Sequence, residues 1–166
     1  MSENGCVVWL TGYPASGKST LARAVHQKLM EQGRAACVLD GDDVRAVIRP
    51  SYGYDDQART DFYASLAGFA ALLAKQGLIV LVPATANRQK YRDTARRLTP
   101  HFVEVFVDTP LAECQRRDPK GLYKQAPSTL PGSGTSYEVP EHPDLTVRVG
   151  DKGVENVLAL LLQNGT

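Results

Sequence analysis

The sequence predicts an α/β fold in which helices cover both faces of a sheet of about five parallel strands. Three observations carry that expectation. Short apolar runs alternate with longer helix-patterned segments along the 166 residues, as in strands joined by crossover helices. Two of the runs, Cys6-Val-Val-Trp-Leu-Thr11 and Leu78-Ile-Val-Leu-Val82, are apolar nearly throughout, as strands covered on both faces must be. The first run ends in a glycine-containing turn that leads straight into a helical pattern.

Taken in order, the first strand is Cys6–Thr11 and the first helix runs from about Lys18 to Gln32, stopped by Gly33. A second strand covers Ala35 to Leu39, and a short helix starts near Asp42. Pro50 to Gly53 has turn chemistry. A long Ala/Leu-rich helix follows from about Asp56 to Gln76, ended by Gly77 before the third strand, Leu78 to Val82. A helix over 89–98 and a fourth strand over 102–107 come next, then a helix through Arg117 with Pro110 at its first position. Residues 118–143 break the pattern with five prolines (Pro119, Pro127, Pro131, Pro140 and Pro143) among Gly, Ser and Thr. A loop of that length in a compact domain is functional or disordered, and it is read as a mobile lid. A strand over 144–149 and a helix over 153–163 close one domain spanning residues 1–166.

Composition removes several classes of function. Hydrophobic residues make up 43% and charged residues 22%, with a net charge of +1, so capture of nucleic acid or of an anionic membrane surface is not expected. The N-terminal residues lack a basic, apolar leader, and no apolar run approaches the ~20 residues of a membrane helix. A cytoplasmic location is expected. Cys6, Cys37 and Cys114 are widely spaced without a CxxC pair, and the first two fall in strands expected to be buried. Trp9 reads as core, and no histidine has a metal-ligand partner at sensible spacing. Arg88, Arg92, Arg96 and Arg97 give one helix a basic face, read as solvated surface, with Arg88 or Arg92 available to an anion.

The turn after the first strand reads Gly12-Tyr-Pro-Ala-Ser-Gly-Lys-Ser19 and satisfies G-x-x-x-x-G-K-[ST] between strand and helix. Gly12 and Gly17 let the backbone wrap phosphate oxygens, and N–H groups from Ala15 to Thr20 line the helix entrance. Lys18 is placed to reach the β- and γ-phosphates of ATP, and the Ser19 hydroxyl to bind Mg²⁺. The fold class thereby narrows to a P-loop NTPase, a three-layer α/β/α sandwich. A GTPase N-K-x-D motif is absent.

After the second strand comes Leu39-Asp-Gly-Asp-Asp-Val-Arg45. Carboxylates at the carboxyl end of a parallel strand lie on the ligand-binding edge of the sheet. A kinase needs one there to orient the acceptor hydroxyl and take its proton, and cations to hold an anionic acceptor. Asp40, Asp42 and Arg45 supply both. One aspartate also suits a helix N-cap, and either Asp40 or Asp42 can be the base.

These segments, with Gly77-Leu-Ile-Val80, Glu104-Val-Phe-Val-Asp-Thr-Pro110, Arg117-Asp-Pro-Lys-Gly-Leu-Tyr-Lys124 and Tyr137-Glu-Val-Pro140, resemble the adenylylsulfate (APS) kinases over nearly the whole chain. The resemblance implies Asp42 as base, with Asp40 supporting it or the metal. It implies Arg45 and Arg59 as grips on a nucleotide acceptor and Tyr54 in place of a phenylalanine that stacks on the acceptor's base. It also implies Lys120 and Lys124 at the start of the lid, Arg117 beside the ATP adenine, and a homodimer. Part of the apolar stripe through Phe62, Leu66, Phe69 and Leu73 is available for that dimer's interface.

Departures from the family pattern cluster on the acceptor side. Phe62, Ala64 and Ser65 stand where the family has an Asn and paired arginines, and Pro83-Ala-Thr-Ala-Asn-Arg-Gln89 replaces Ser-Phe-Ile-Ser-Pro-Tyr-Arg. Hydrogen-bonding positions have thus become Phe62 and Ala86, and the lid is short. Three readings follow in order of weight: an APS kinase, a family kinase for another nucleotide-linked anion such as a cytidine diphosphate derivative, and a nucleotide-binding module without turnover.

Overall fold

The computed structural model describes residues 5–166. Five strands, β1 (Cys6–Thr11), β2 (Ala36–Val38), β3 (Ile79–Pro83), β4 (Phe102–Asp108) and β5 (Leu145–Arg148), form one sheet in the order β2-β3-β1-β4-β5. All four neighbouring pairs run parallel. The chain leaves β1 for the edge strand β2, returns to β3, then crosses β1 to reach β4. That reversal brings the loops after β1, β2, β3 and β4 to one edge of the sheet, the position where ligands bind in open α/β folds.

Period-two alternation along β1 divides the core into two layers. Val7 and Trp9 face α3 (Asp56–Ala74) and α4 (Gln89–Leu98), packing with Phe62, Tyr63, Leu66, Tyr91 and Ala95. Cys6, Val8 and Leu10 face α1 (Lys18–Glu31) and α7 (Gly153–Gln163), packing with Ala22, Val25, Leu29, Val157 and Leu161. A three-layer sandwich follows, and Trp9 is buried core as expected.

The short elements depart most from expectation. β2 has three residues, and because it lies on the sheet edge Cys37 is only half-buried, whereas Cys114 on a helix is fully buried. Pro110 stands in the extended N-cap position, so α5 begins one residue later (Leu111–Arg117). Residues 118–143 contain a helical turn, α6 (Leu122–Gln125), that the proline count concealed. Asp118 makes it: its carboxylate accepts from the N–H groups of Tyr123 and Lys124 at 3.2 and 3.1 Å. Beyond α6, Pro131 bridges to Thr135 and Tyr137 returns to the core.

The basic face on α4 is corrected at one position. Arg92 is fully buried, with Nε 3.0 Å from Glu104 Oε1 on β4. Arg96 pairs with Glu104 and with Asp144 at 3.4 and 3.1 Å. Arg88 reaches Asp56 at 2.8 Å. Three of the four arginines therefore have carboxylate partners, but Arg96 and Arg97 are exposed and Arg88 is partly so, and only Arg92 leaves the surface. Burial pushes the Glu104 carboxyl up, against the pull of the Arg92 and Arg96 guanidiniums.

Candidate active site

The turn between β1 and α1 is held shut from both sides. Ser16 N–H donates to Tyr13 O at 3.1 Å, and Thr109, at the end of β4, donates its hydroxyl to Ser16 O at 2.8 Å. Gly17 adopts φ 100°, a left-handed value that a side chain resists, and so aims the first N–H groups of α1 back into the loop. A Cβ on Gly12 would lie 2.6 Å from Val107 O, so the loop lies against β4 without room to move. Gly12→Ala is expected to weaken ATP binding at least about tenfold by displacing the loop, measured by titration of a fluorescent ATP analogue.

Lys18 is buried, and its ammonium donates to Gly12 O at 3.1 Å, Tyr13 O at 2.8 Å and Ser16 Oγ at 3.5 Å. Burial brings its pKa down from 10.5 to about 8, opposed mainly by the charge of Asp42. A desolvated ammonium inside a ring of backbone groups is a site prepared for phosphate. Thr20 lies exposed on the first turn of α1, and Ala15, at φ 64°, and Ser16 shape the loop itself.

Asp40 does two jobs. Its Oδ1 accepts from Asp42 N–H at 2.9 Å, capping α2 (Gly41–Val47), and its Oδ2 accepts from the Ser19 hydroxyl at 2.6 Å. That leaves Asp42 free of the cap: its exposed carboxylate projects from the first turn of α2 and meets Lys120 Nζ at 2.6 Å. The pairing raises the Lys120 pKa. Ser19 and Asp40 suit Mg²⁺, a hard cation that takes one or two protein oxygens and completes its shell with phosphate oxygens and water. Among the described residues no group of three or more His, Cys, Asp or Glu gathers into a metal cage.

The segment opened by Lys120 touches the phosphate loop directly. Tyr123 donates its hydroxyl to Pro14 O at 2.8 Å, and the Tyr137 ring packs on Tyr13 with centroids 4.9 Å apart. Arg117, paired with Glu113 at 3.0 Å, has Nη1 3.8 Å from where a Gly17 side chain would begin, at the mouth of the loop. Lys124 is exposed at the end of α6 and does not join the cluster.

On the acceptor side, Arg45 is sandwiched: its guanidinium carbon lies 4.5 Å from the Tyr54 ring centre and 3.9 Å from that of Phe62. It also donates to the carbonyls of Tyr52 and Gly53 at 3.3 and 3.1 Å. Arg59 is buried and donates to Tyr54 O at 3.0 Å, to Asn87 Oδ1 at 3.1 Å and to Thr129 O of the 118–143 segment. Sequence reasoning missed Asn87, which also donates to Ser136 O at 3.0 Å, and Tyr63, whose hydroxyl accepts from Ala86 N–H at 3.0 Å. It read Arg92 as surface open to an anion, whereas the side chain is buried against Glu104. A charge inside the apolar run of β4, Glu104, was the available signal for a buried cation opposite.

A phosphate cradle with a buried lysine, a hydroxyl–carboxylate pair beside it and a second, exposed carboxylate one residue into α2 define a P-loop kinase. Comparison with known proteins agrees. The family model described as adenylylsulphate kinase matches residues 4–148. The adenylyl-sulfate kinase of Pseudomonas aeruginosa is 40% identical over 172 residues, spanning 98% of this chain and 88% of its own length. That of Saccharomyces bayanus is 35% identical, spanning 97% of this chain and 84% of its own. The structure of the Mycobacterium tuberculosis APS kinase CysC in complex with AMPPNP and APS superposes with a TM-score of 0.91 at 38% identity, covering 96% of this chain and 98% of that one. The chain belongs to the adenylylsulfate kinase family, whose members are ATP-dependent phosphotransferases acting on a hydroxyl group.

Proposed function

We propose that the protein transfers the γ-phosphoryl group of Mg-ATP to the 3′-hydroxyl of adenylylsulfate, giving 3′-phosphoadenylylsulfate and ADP. The whole-chain match to a structure holding AMPPNP and APS carries the choice of acceptor. The phosphate loop and Lys18 hold the triphosphate, with Arg117 bordering the adenine. Ser19 and Asp40 would hold Mg²⁺, which would supply positive charge to the phosphoryl oxygens. Asp42 orients the acceptor hydroxyl and takes its proton as the new P–O bond forms. Arg45 and Arg59 hold the anionic acceptor, its base stacking on Tyr54, and Lys120 and Lys124 belong to a lid over residues 118–143 that closes to exclude water.

The adenylylsulfate reading is tested by ATP consumption with Mg²⁺, comparing adenylylsulfate with a panel of nucleoside diphosphate derivatives. Efficient formation of 3′-phosphoadenylylsulfate is expected. Turnover of another compound in its place would assign the buried Phe62 and Ala86 to a changed acceptor, since a site stripped of hydrogen-bond partners loses discrimination. No helix among the described residues is long and apolar enough to cross a membrane. Exposed Phe69 and Leu72 on α3 support a homodimer packed through that face.

A further inference from the structure

Arg92 has no part in the chemistry above, yet it is among the most completely buried side chains in the molecule. Its guanidinium spans two segments that are far apart in sequence. Nη1 donates to Ala86 O at 2.6 Å, in the loop after β3. Nη2 donates to Glu138 O at 2.6 Å, at the end of the 118–143 segment, and to Gln89 Oε1 at 2.7 Å. The Tyr137 ring lies 5.7 Å from the guanidinium carbon. Behind it, Glu104 Oε1 at 3.0 Å supplies the opposing charge.

The loop it holds is under strain. Ala86 is fully buried and adopts φ 42°, a left-handed conformation disfavoured for any residue with a Cβ. Such a conformation persists only where the surroundings over-determine it. Here two contacts do so: the Tyr63 hydroxyl fixes the Ala86 N–H, and Arg92 fixes its carbonyl. The next residue, Asn87, then has its side chain between Arg59 and Ser136 O, and its carbonyl accepts from Glu138 N–H at 2.8 Å. Ala86, Asn87, Arg59 and the segment from Ser136 to Glu138 are thus one hydrogen-bonded unit with Arg92 at its root.

We propose that Arg92 is a positioning residue that locks the loop after β3 to the end of the 118–143 segment, so that Arg59 and Asn87 present one fixed wall to the acceptor. The planar fork is what the position requires. A lysine keeps the charge opposite Glu104 but has one nitrogen and no planar geometry with which to span both carbonyls. The larger effect falls on the acceptor, because Thr109 after β4 holds the phosphate loop independently of Arg92, and the arginine reaches that loop only indirectly, through the Tyr137 ring.

This inference rests on the acceptor reading proposed above, and its test separates the two. Arg92→Lys is the first variant. The second, Arg92→Met with Glu104→Leu, removes the buried pair together and leaves no orphan charge to unfold the protein. In both, hydrogen exchange at residues 84–88 and 136–140 is expected to accelerate about tenfold or more, and the KM for adenylylsulfate to rise about ten- to a hundredfold. ATP affinity should stay within about twofold. A merely structural arginine would lower the melting temperature and the active fraction while leaving both KM values alone. Unchanged exchange in these two segments, or equal losses for ATP and acceptor, would overturn the proposal. If the wild-type protein does not turn over adenylylsulfate, the acceptor reading fails by itself, and the exchange measurement still decides the role of Arg92.

Discussion

Asp42→Ala is expected to lower turnover by about 10²–10⁴-fold, the range for loss of a positioned general base, and to leave ATP affinity within about threefold. The split between the two carboxylates is the reason. Asp40 is committed through both oxygens, one to the α2 N-cap and one to Ser19. The Asp42 carboxylate takes no part in the α2 cap and projects, exposed, toward Lys120 of the 118–143 segment. Asp42→Asn keeps the size and a hydrogen bond but cannot accept the proton, so it should fall close to the alanine variant. Lys120 provides the control, because among the described residues the only ion pair Asp42 makes is with its ammonium. If Asp42 serves only to anchor that lysine, Lys120→Met would cost as much as Asp42→Ala. A loss from Lys120→Met at least tenfold smaller, by steady-state kinetics, is the expected result. Wild-type turnover in Asp42→Ala would remove Asp42 as the base.

The asymmetry between Asp40 and Asp42 was only half legible in the sequence. Two aspartates before a short helix predict a cap and a spare carboxylate, but which is which depends on where α2 begins, and that differs by one residue from expectation. Elements with strong local signals came through well: α4 and α7 have the ends that their periodicity predicts, and β1 with its phosphate loop stands as the motif requires. Elements made by tertiary contact did not. α6 exists because Asp118 reaches forward to two N–H groups within a proline-rich stretch, and propensity has no way to register that.

Arg92 is the sharper case. On a helical wheel it belongs with Arg88 and Arg96 as surface, and only its carboxylate partner on β4 and two loop carbonyls far apart in sequence account for its burial. The family resemblance likewise implies Arg59 as a grip on an anionic acceptor, while its donors are directed to Tyr54, Asn87 and Thr129. Local pattern predicts which segments form. It does not predict which buried charges pair, because pairing joins residues that the fold alone brings together.

Lys18→Met should abolish useful turnover and stabilise the protein at neutral pH. Lys18 is the charge placed against the transferring phosphoryl group, and removing such a donor costs about 10²–10³-fold in rate. The same charge is a burden on the empty protein. Burial lowers the Lys18 pKa from 10.5 to about 8, so at pH 7 the folded state holds an ammonium that it would shed more readily than the unfolded chain. The difference is worth on the order of 3 kcal/mol. Loss of the hydrogen bonds to Gly12 O and Tyr13 O offsets part of it, leaving a gain of about 1–2 kcal/mol for the variant. For a domain of this size that is a rise of about 2–8 °C in melting temperature.

The pH dependence separates this cause from ordinary repacking. Between pH 8 and 10.5 the unfolded chain binds the proton that the folded state has lost, so wild-type stability gains with rising pH from this group. Below pH 8 both states are protonated and the penalty is fully present. The advantage of Lys18→Met should therefore be largest near pH 7 and shrink as pH rises through that window, read by calorimetry of both proteins without nucleotide. Binding ATP reverses the balance, since phosphate oxygens replace the lost hydration and raise the pKa again. Above pH about 8 the wild-type protein should then take up a proton on binding ATP, and the variant should not, measured by titration calorimetry in buffers of different ionisation enthalpy. A variant that melts below wild type at both pH values would show that the ammonium holds the loop together rather than straining it.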